Sequence, residues 1–255
     1  MYEYQLKMNP KETRAILEDK RLFLKEYANF VKHKYYVLGN GNTNEVIKAV
    51  TEAKFKKMVL KSSDGQCGEG VEVIELENDK DALKEKLNHT KNDLLEEYIV
   101  QHDDLMKLSP SGLNTVRVFT QLNKKNEVDI LGCRLRITIN SAVDNLAAGN
   151  IAAPIDEMTG LVSGSGVYSD ITKTDEIEHP VTGVKIEGFQ VPYWPEVMNM
   201  VKEAALLHPQ NRSIGWDVAI TNEGPELLEG NHNWCKLLWQ LPVKKGLKPV
   251  LAQYI

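Results

Sequence analysis

Two acids and an amide stand at a spacing that suits a divalent cation. The segment Gly215-Trp-Asp-Val-Ala-Ile-Thr-Asn-Glu-Gly-Pro-Glu-Leu-Leu-Glu-Gly-Asn231 reads as two strands around a turn at Asn222-Glu223-Gly224. A three-residue loop centred on Glu223 puts Asp217 directly opposite Glu229, with Asn231 two residues further along the same face. Opposed side chains in an antiparallel pair stand about 5 Å apart at Cβ. Two carboxylates so placed repel each other unless a cation lies between them. Three oxygen donors select a hard ion, Mg2+ or Mn2+, over zinc, and so few protein ligands leave room for phosphate oxygens and water. The same spacing also fits the solvent face of an ordinary hairpin, where such pairs are weakly coupled.

A second constellation is Lys61-Ser-Ser-Asp-Gly65-Gln-Cys-Gly68-Glu-Gly70, which joins two apolar runs, residues 55–61 and 71–76. Its three glycines let backbone N–H groups converge on an anion. The Walker A spacing is absent and no helix pattern follows, so neither a P-loop nor a dinucleotide fingerprint is indicated. A strand, a glycine loop and a second strand, with a lysine at the end of the first, fit a flap over a nucleoside triphosphate. A plain β-turn with flexible glycines is the other reading. No Ser/His/Asp or Cys/His constellation stands out, and Cys67 in the flap reads as a small filler.

The elements that must hold these groups are short. Residues 11–34 read as helix through Leu17, Phe23, Leu24 and Tyr27, and residues 81–87 as another. Residues 93–100 form an apolar strand that runs into a polar stretch, 101–111, read as a hinge. Residues 115–122 and 128–139 alternate as a hairpin. In its second strand Leu131, Cys133, Leu135 and Ile137 share one face, and Arg134 and Arg136 the other. Residues 140–166 read as irregular loop with short strands. Pro195 opens a helix with a stripe of Val197, Met200, Val201 and Ala204. The pattern is α+β, without the regular alternation of a parallel doubly wound sheet.

The 255 residues suffice for one large domain or two lobes around a shared cleft. A formal net charge of −5 with no basic block argues against nucleic acid as a partner. No apolar run is long enough for a membrane helix, and residues 1–10 lack the apolar core of a signal peptide. Three scattered cysteines suit free thiols in a reducing compartment, so a cytoplasmic protein is expected. Homo-oligomers are compatible with the sequence but not specified by it.

Lys61 with its glycine loop, the strand Leu95-Glu96-Glu97-Tyr98-Ile99, and Asp217 with Glu229-Gly-Asn231 occur in the order found in ATP-grasp enzymes. The chain resembles one branch more closely, the sugar-transfer-associated ATP-grasp proteins, related to α-L-glutamate ligases. Glu18-Asp19-Lys20, Gln101-His102 with Leu113-Asn-Thr-Val-Arg117, Val143-Asp-Asn145, His179-Pro-Val-Thr-Gly183 and Gly215-Trp-Asp-Val-Ala-Ile-Thr221 carry that match. The resemblance implies an ATP-grasp fold in which two α/β lobes grip ATP between antiparallel sheets. The expected division is a helical segment over residues 1–34, a small lobe with the flap over 35–110, and a large lobe with the metal site over 111–255. The usual N-terminal α/β domain is expected to be missing or reduced.

The resemblance also implies roles. Lys20 and Lys61 contact the α- and β-phosphates, and Gly65, Gly68 and Gly70 cover them. Glu97 and Ile99 offer backbone groups to adenine, with Glu96 beside them. Asp103, or Asp104, takes the ribose hydroxyls, and Asp217, Glu229 and Asn231 hold Mg2+. Arg117 and Arg136 clamp the γ-phosphate or an acyl-phosphate, for which the guanidinium fork is suited, whereas Arg134 reads as a surface salt bridge. Asn145, His179 and His232 are candidates for an acceptor pocket. The implied chemistry is ADP-forming C–N ligation of a carboxylate and an amine, joining an amino acid to a surface-polysaccharide or glycoconjugate precursor. A kinase acting on a hydroxyl and a non-catalytic nucleotide-binding module are the alternatives.

Overall fold

The computed structural model describes residues 1–39, 41–65, 70–76 and 80–254. The N-terminal stretch is three short helices: α1 (Tyr2–Met8), α2 (Ala15–Glu18) and α3 (Lys20–Glu26). The helix expected over residues 11–34 breaks at Asp19. Its backbone is extended (φ −105°, ψ 115°), and its carboxylate accepts from the Arg21 backbone N–H at 2.8 Å. Aspartate favours this capping position because its side chain satisfies an N–H that the first helical turn leaves without a partner. The break puts Lys20 at the start of α3, where its backbone N–H donates to Ser63 O at 3.0 Å.

The chain then builds a four-stranded sheet. Strands β1 (Tyr35–Val37), β2 (Lys57–Lys61), β3 (Glu72–Glu75) and β4 (Leu94–Glu97) lie in the order β1-β4-β2-β3, each neighbouring pair antiparallel. Helices α4 (Thr43–Glu52) and α5 (Lys80–His89) cover one face. Met58 and Leu60 pack there with Val46, Ile47, Val50 and Leu87. By the period of two, Val59 and Lys61 point from the other face into a cleft.

The polar stretch expected to be a hinge contains a helix, α6 (Asp103–Leu108), started by the His102 side chain accepting from the Asp104 N–H. A five-stranded antiparallel sheet follows: β5 (Val116–Leu122), β6 (Val128–Ile137), β7 (Ile151–Ile155), β8 (Ser213–Thr221) and β9 (Gly224–Asn231), in the order β7-β6-β5-β8-β9. Helix α7 (Trp194–Leu207) covers one face, burying Val197, Val201 and Ala204 against Val118, Cys133, Leu135, Trp216 and Val218. On the opposite face, α1 packs with α8 (Lys236–Gln240) and the segment ending in α9 (Lys248–Ala252), through Tyr4, Phe119, Trp234, Trp239 and Leu251.

Leu131 departs from its expected face. A bulge shifts the β5–β6 register between Phe119 and Thr120, with Gly132 at φ +143°. The extra residue inverts the alternation, so Leu131 packs with Trp234 and Trp239 while Cys133, Leu135 and Ile137 face α7. Arg117, Arg134, Arg136, Asp217 and Glu229 consequently share the face opposite α7. Among the described residues no helix is long and apolar enough to cross a membrane.

Candidate functional site

The two sheets wall a cavity of about 430 Å³. Lys61 and Glu96 line it from the four-stranded sheet, Arg117, Arg136, Asp217 and Glu229 from the five-stranded one, and Lys20 and Asn231 from its edges.

Asp217 pairs with Glu229, but by a route other than the expected loop. Thr221 pairs with Gly224, so the turn has two central residues, Asn222 and Glu223. A register shift between Asp217 and Val218 then inserts Leu228 as a bulge and brings Asp217 opposite Glu229. Gly224 adopts φ +107° at the turn exit, a conformation that glycine meets without steric cost. Asn231 Nδ2 donates to Glu229 Oε1 at 3.2 Å and to Gly215 O at 3.3 Å.

The two acids are in opposite electrostatic states. Burial alone would raise the Asp217 pKa, but Arg117 and Arg136 outweigh it and hold that carboxyl far below the usual range. Arg117 Nε donates to Asp217 Oδ1, and Arg117 Nη2 and Arg136 Nη1 donate to Oδ2 at 2.7 and 3.0 Å. Arg136 Nη2 pairs with Asp144 Oδ1 at 2.7 Å. For Glu229 the balance is reversed: burial, and then the Asp217 charge and contact, push its pKa up against the weaker pull of Lys20 and Arg117.

On the facing wall, Lys61 Nζ pairs with Glu96 Oε2 at 2.5 Å. Lys20 Nζ donates to the Gly65 carbonyl. Burial lowers the Lys20 pKa and Lys61 adds to that, while Glu229 pulls it back up. His33 stands behind Glu96, with Nδ1 at 2.7 Å from Glu226 Oε2 and Nε2 at 3.7 Å from Glu96 Oε2. Burial opposes its charge, but the two carboxylates prevail and raise its pKa to about 9, while Lys61 and His33 together bring Glu96 down to about 2 against its own burial. A folded-state value above the unfolded one means that His33 stabilises the fold fully below about pH 6.5 and loses that contribution as pH climbs through about 9. Between pH 7.5 and 10, Tm is expected to fall on the order of 5 °C further in the wild type than in His33→Gln. Parallel curves in the two proteins would remove the imidazolium from the account.

The remaining candidates divide. Glu97 and Ile99 line the cavity; the Glu97 N–H donates to Lys34 O at 2.8 Å and its side chain accepts from the Lys34 N–H at 3.0 Å. Asp103 does not reach the cavity: it is locked to Asn222 by bonds of 3.1 Å in both directions, at the start of α6. Asp104 is half-buried and pairs with Lys107 at 2.8 Å. Gly65 lines the cavity, whereas Gly70, at φ +72°, stands outside it beside Asn92. Gly68 and Cys67 lie outside the described residues.

Two expectations change. Arg134 is no surface salt bridge: it is buried, donates to the Trp239 and Cys133 carbonyls, and burial brings its pKa down to about 10. His179 is buried away from the cavity, with Nε2 2.8 Å from Thr138 O and Nδ1 accepting from the Val181 and Thr182 N–H groups, a structural role. His232 and Asn145 do line the cavity, His232 pairing with Glu18 at 3.2 Å. Sequence reading missed His33 and Glu226, which have no periodic or motif signal of their own, and gave no role to Asp144, although it stands inside the string Val143-Asp-Asn145. Among the described residues no group of three or more His, Cys, Asp and Glu side chains gathers as a metal cluster.

The family described as sugar-transfer associated ATP-grasp matches residues 1–254. The chain belongs to that family. Solved structures agree on the fold, with two antiparallel sheets as in ATP-grasp proteins. The ATP-grasp ligase PsnB, in complex with a phosphomimetic variant of its minimal precursor, Mg and ADP, superposes with a TM-score of 0.55 at 14% identity over 97% of this chain and 61% of that one. Biotin carboxylase from Campylobacter jejuni, in an ATP complex, gives 0.56 at 11% identity over 90% and 44%. An ADP complex of N5-carboxyaminoimidazole ribonucleotide synthetase gives 0.51 at 12% identity over 86% and 46%. The chain thus spans less than two thirds of the length of each of these proteins. A search of the curated proteins found no match.

Proposed function

We propose that this ATP-grasp chain is an ADP-forming carboxylate–amine ligase that holds Mg-ATP in the cavity between its sheets. The observation that carries the reading is the gathering, in one cavity, of Lys20 and Lys61 with Asp217, Glu229 and Asn231. Residues 35–110 then form the lobe over the nucleotide and residues 111–255 the lobe under its phosphates. Glu97 and Ile99 face adenine, and the two lysines face the α- and β-phosphates.

The residues fit a hard cation. Asp217 Oδ2 is filled by two guanidinium donors, but Oδ1 takes only one. Glu229, in side-chain contact with Asp217, and Asn231 add carboxylate and amide oxygens, a donor set small enough to suit Mg2+. Glu229, destabilised as an anion by burial and by Asp217, is the group a cation relieves. When bound, Mg2+ supplies charge neutralisation and orientation for the β- and γ-phosphates. Arg136, shared between Asp217 and Asp144, is fixed where it meets the γ-phosphoryl, and Arg117 fixes Asp217 from below.

In the reaction a carboxylate oxygen bonds to the γ-phosphorus and the bond to the β-bridging oxygen breaks, its electron pair leaving with ADP. An amine then attacks the acyl carbon and inorganic phosphate departs. No enzyme nucleophile is required, so catalysis is positioning plus charge compensation. A second cavity of about 340 Å³, lined by Tyr2, Gln5, Arg14 and Asp64, shares Glu18, His232 and Asn233 with the first. It meets the first beside Lys20 and Asn231 and is the path we assign to the acceptor, an amino acid or a glycan-linked group. Arg14→Ala is expected to raise the acceptor KM about tenfold with the ATP KM unchanged, the loss of one charge-assisted contact. Equal changes in both constants would remove that path.

The experiment is ADP and phosphate release with Mg-ATP against amino acids, uronic acids and nucleotide sugars, singly and in pairs. Release that needs an acid and an amine, with a product heavier by their sum less water, identifies a ligase. A product heavier by one phosphoryl group identifies a kinase and overturns the reading.

A further inference from the structure

Residues 32–34 lead from the helices that pack on β9 of the five-stranded sheet into β1 of the four-stranded one, and their polar groups are divided between the two sheets. The N–H groups of Lys32 and His33 both donate to Glu226 Oε2 on β9, each at 2.9 Å. Lys32 Nζ donates to Glu223 O at 3.0 Å. One residue on, Lys34 is bonded through its N–H and its carbonyl to Glu97 on β4. His33 lies between these attachments, 6% exposed, with Glu226 and Glu96 at 2% and 5% on either side. The result is a buried row of alternating charges, Glu226, His33, Glu96 and Lys61, that runs from the five-stranded sheet to the head of a cavity-lining lysine.

Two atoms in that row, His33 Nε2 and Glu96 Oε1, are buried with no hydrogen-bond partner among the described residues. The gap of 3.7 Å between Nε2 and Glu96 Oε2 is an ion-pair distance, and a closure to about 3.0 Å would make it a hydrogen bond. Buried polar groups are seldom left this way. The row spans the two sheets, so the Nε2–Oε2 gap depends on how far apart they stand.

We propose that His33 is a positioning residue that ties the placement of Lys61 in the nucleotide cavity to the spacing of the two sheets, by bridging Glu226 and Glu96. The inference rests on the assignment of Lys61 to the phosphates. With His33 in place Glu96 is shared between two cations, and the Lys61 ammonium keeps attraction to spare for a third anion. Without it Glu96 has Lys61 alone, and the lysine is drawn back from the phosphates.

The test is the binding of Mg-ATP and of adenosine to the full chain, wild type and His33→Gln, with Lys61→Ala as reference. His33→Gln should weaken Mg-ATP roughly tenfold and adenosine within about twofold, the size of a coupling carried through one neighbour. In the Lys61→Ala background, adding His33→Gln should change ATP binding no further. Glu226→Gln, which leaves the imidazole in place, should act in the same direction and decides the matter if His33→Gln does not fold. Equal loss of ATP and adenosine, or failure of both variants to fold, makes the row a plain stabilising cluster and overturns the inference. If Lys61→Ala itself spares ATP binding, the nucleotide assignment fails instead, so the two failures are distinguishable.

Discussion

Glu229→Gln is expected to lower ADP-forming turnover by about 10²- to 10³-fold, the cost of removing one group that stabilises transition-state charge, while leaving Tm unchanged or raised. The carboxylate is buried, and its charge is disfavoured by the desolvation and by Asp217. Glutamine keeps the shape and the hydrogen bond from Asn231 Nδ2 but removes the repulsion. A group retained at a cost to folding is explained by its use. Turnover and melting temperature, measured together, check this: wild-type turnover in Glu229→Gln removes it from the machinery, and a large fall in Tm contradicts its electrostatic state.

Asp217→Asn is expected to behave differently, although it changes the other member of the same pair. Turnover is lost, and the fold is destabilised by about 3 kcal/mol or more, because one partner of a buried, multiply bonded ion pair has been removed. Arg117 loses its carboxylate, and the new amide N–H₂ meets guanidinium donors. Arg136 retains Asp144, which limits the damage on that side. In a chain of this size the loss amounts to roughly 6–12 °C of Tm. A variant as stable as the wild type would mean that the arginine clamp contributes little. Spacing alone treats Asp217 and Glu229 as equivalent carboxylates; the neighbouring strands, which bring Arg117 opposite Asp217 and Arg136 to 3.0 Å from it, separate them.

That contrast marks what sequence reading can reach. The hairpins were legible because alternation has a fixed period, and it placed Arg117 and Arg136 on β5 and β6 and the two acids on β8 and β9. Two local irregularities were not. The bulges at Leu228 and Leu131 each shift alternation by one residue, and a shift of one inverts every side chain beyond it. The acid pair survived only because a turn one residue shorter than expected was offset by the bulge. The helix over residues 11–34 failed for a related reason: apolar spacing runs across Asp19, while the cap that breaks it is a bond between one side chain and one N–H. No role was legible for His33, Glu226 and Asp144 because each takes its meaning from a partner 63 or more residues away on another sheet, or from a turn in irregular chain. The position of Asp103, by contrast, was suggested by resemblance and is not met by geometry, since α6 begins there and its carboxylate is used by Asn222.

In the proposed function one cavity holds the triphosphate through Lys20 and Lys61 and through a cation on Asp217, Glu229 and Asn231. Titration of ATP into the wild type and Glu229→Gln, each with Mg2+ and with EDTA, tests it most directly. The account predicts that EDTA weakens binding at least about tenfold in the wild type, and that the difference largely vanishes in Glu229→Gln. Equal affinity for ATP with and without Mg2+ in the wild type would contradict it.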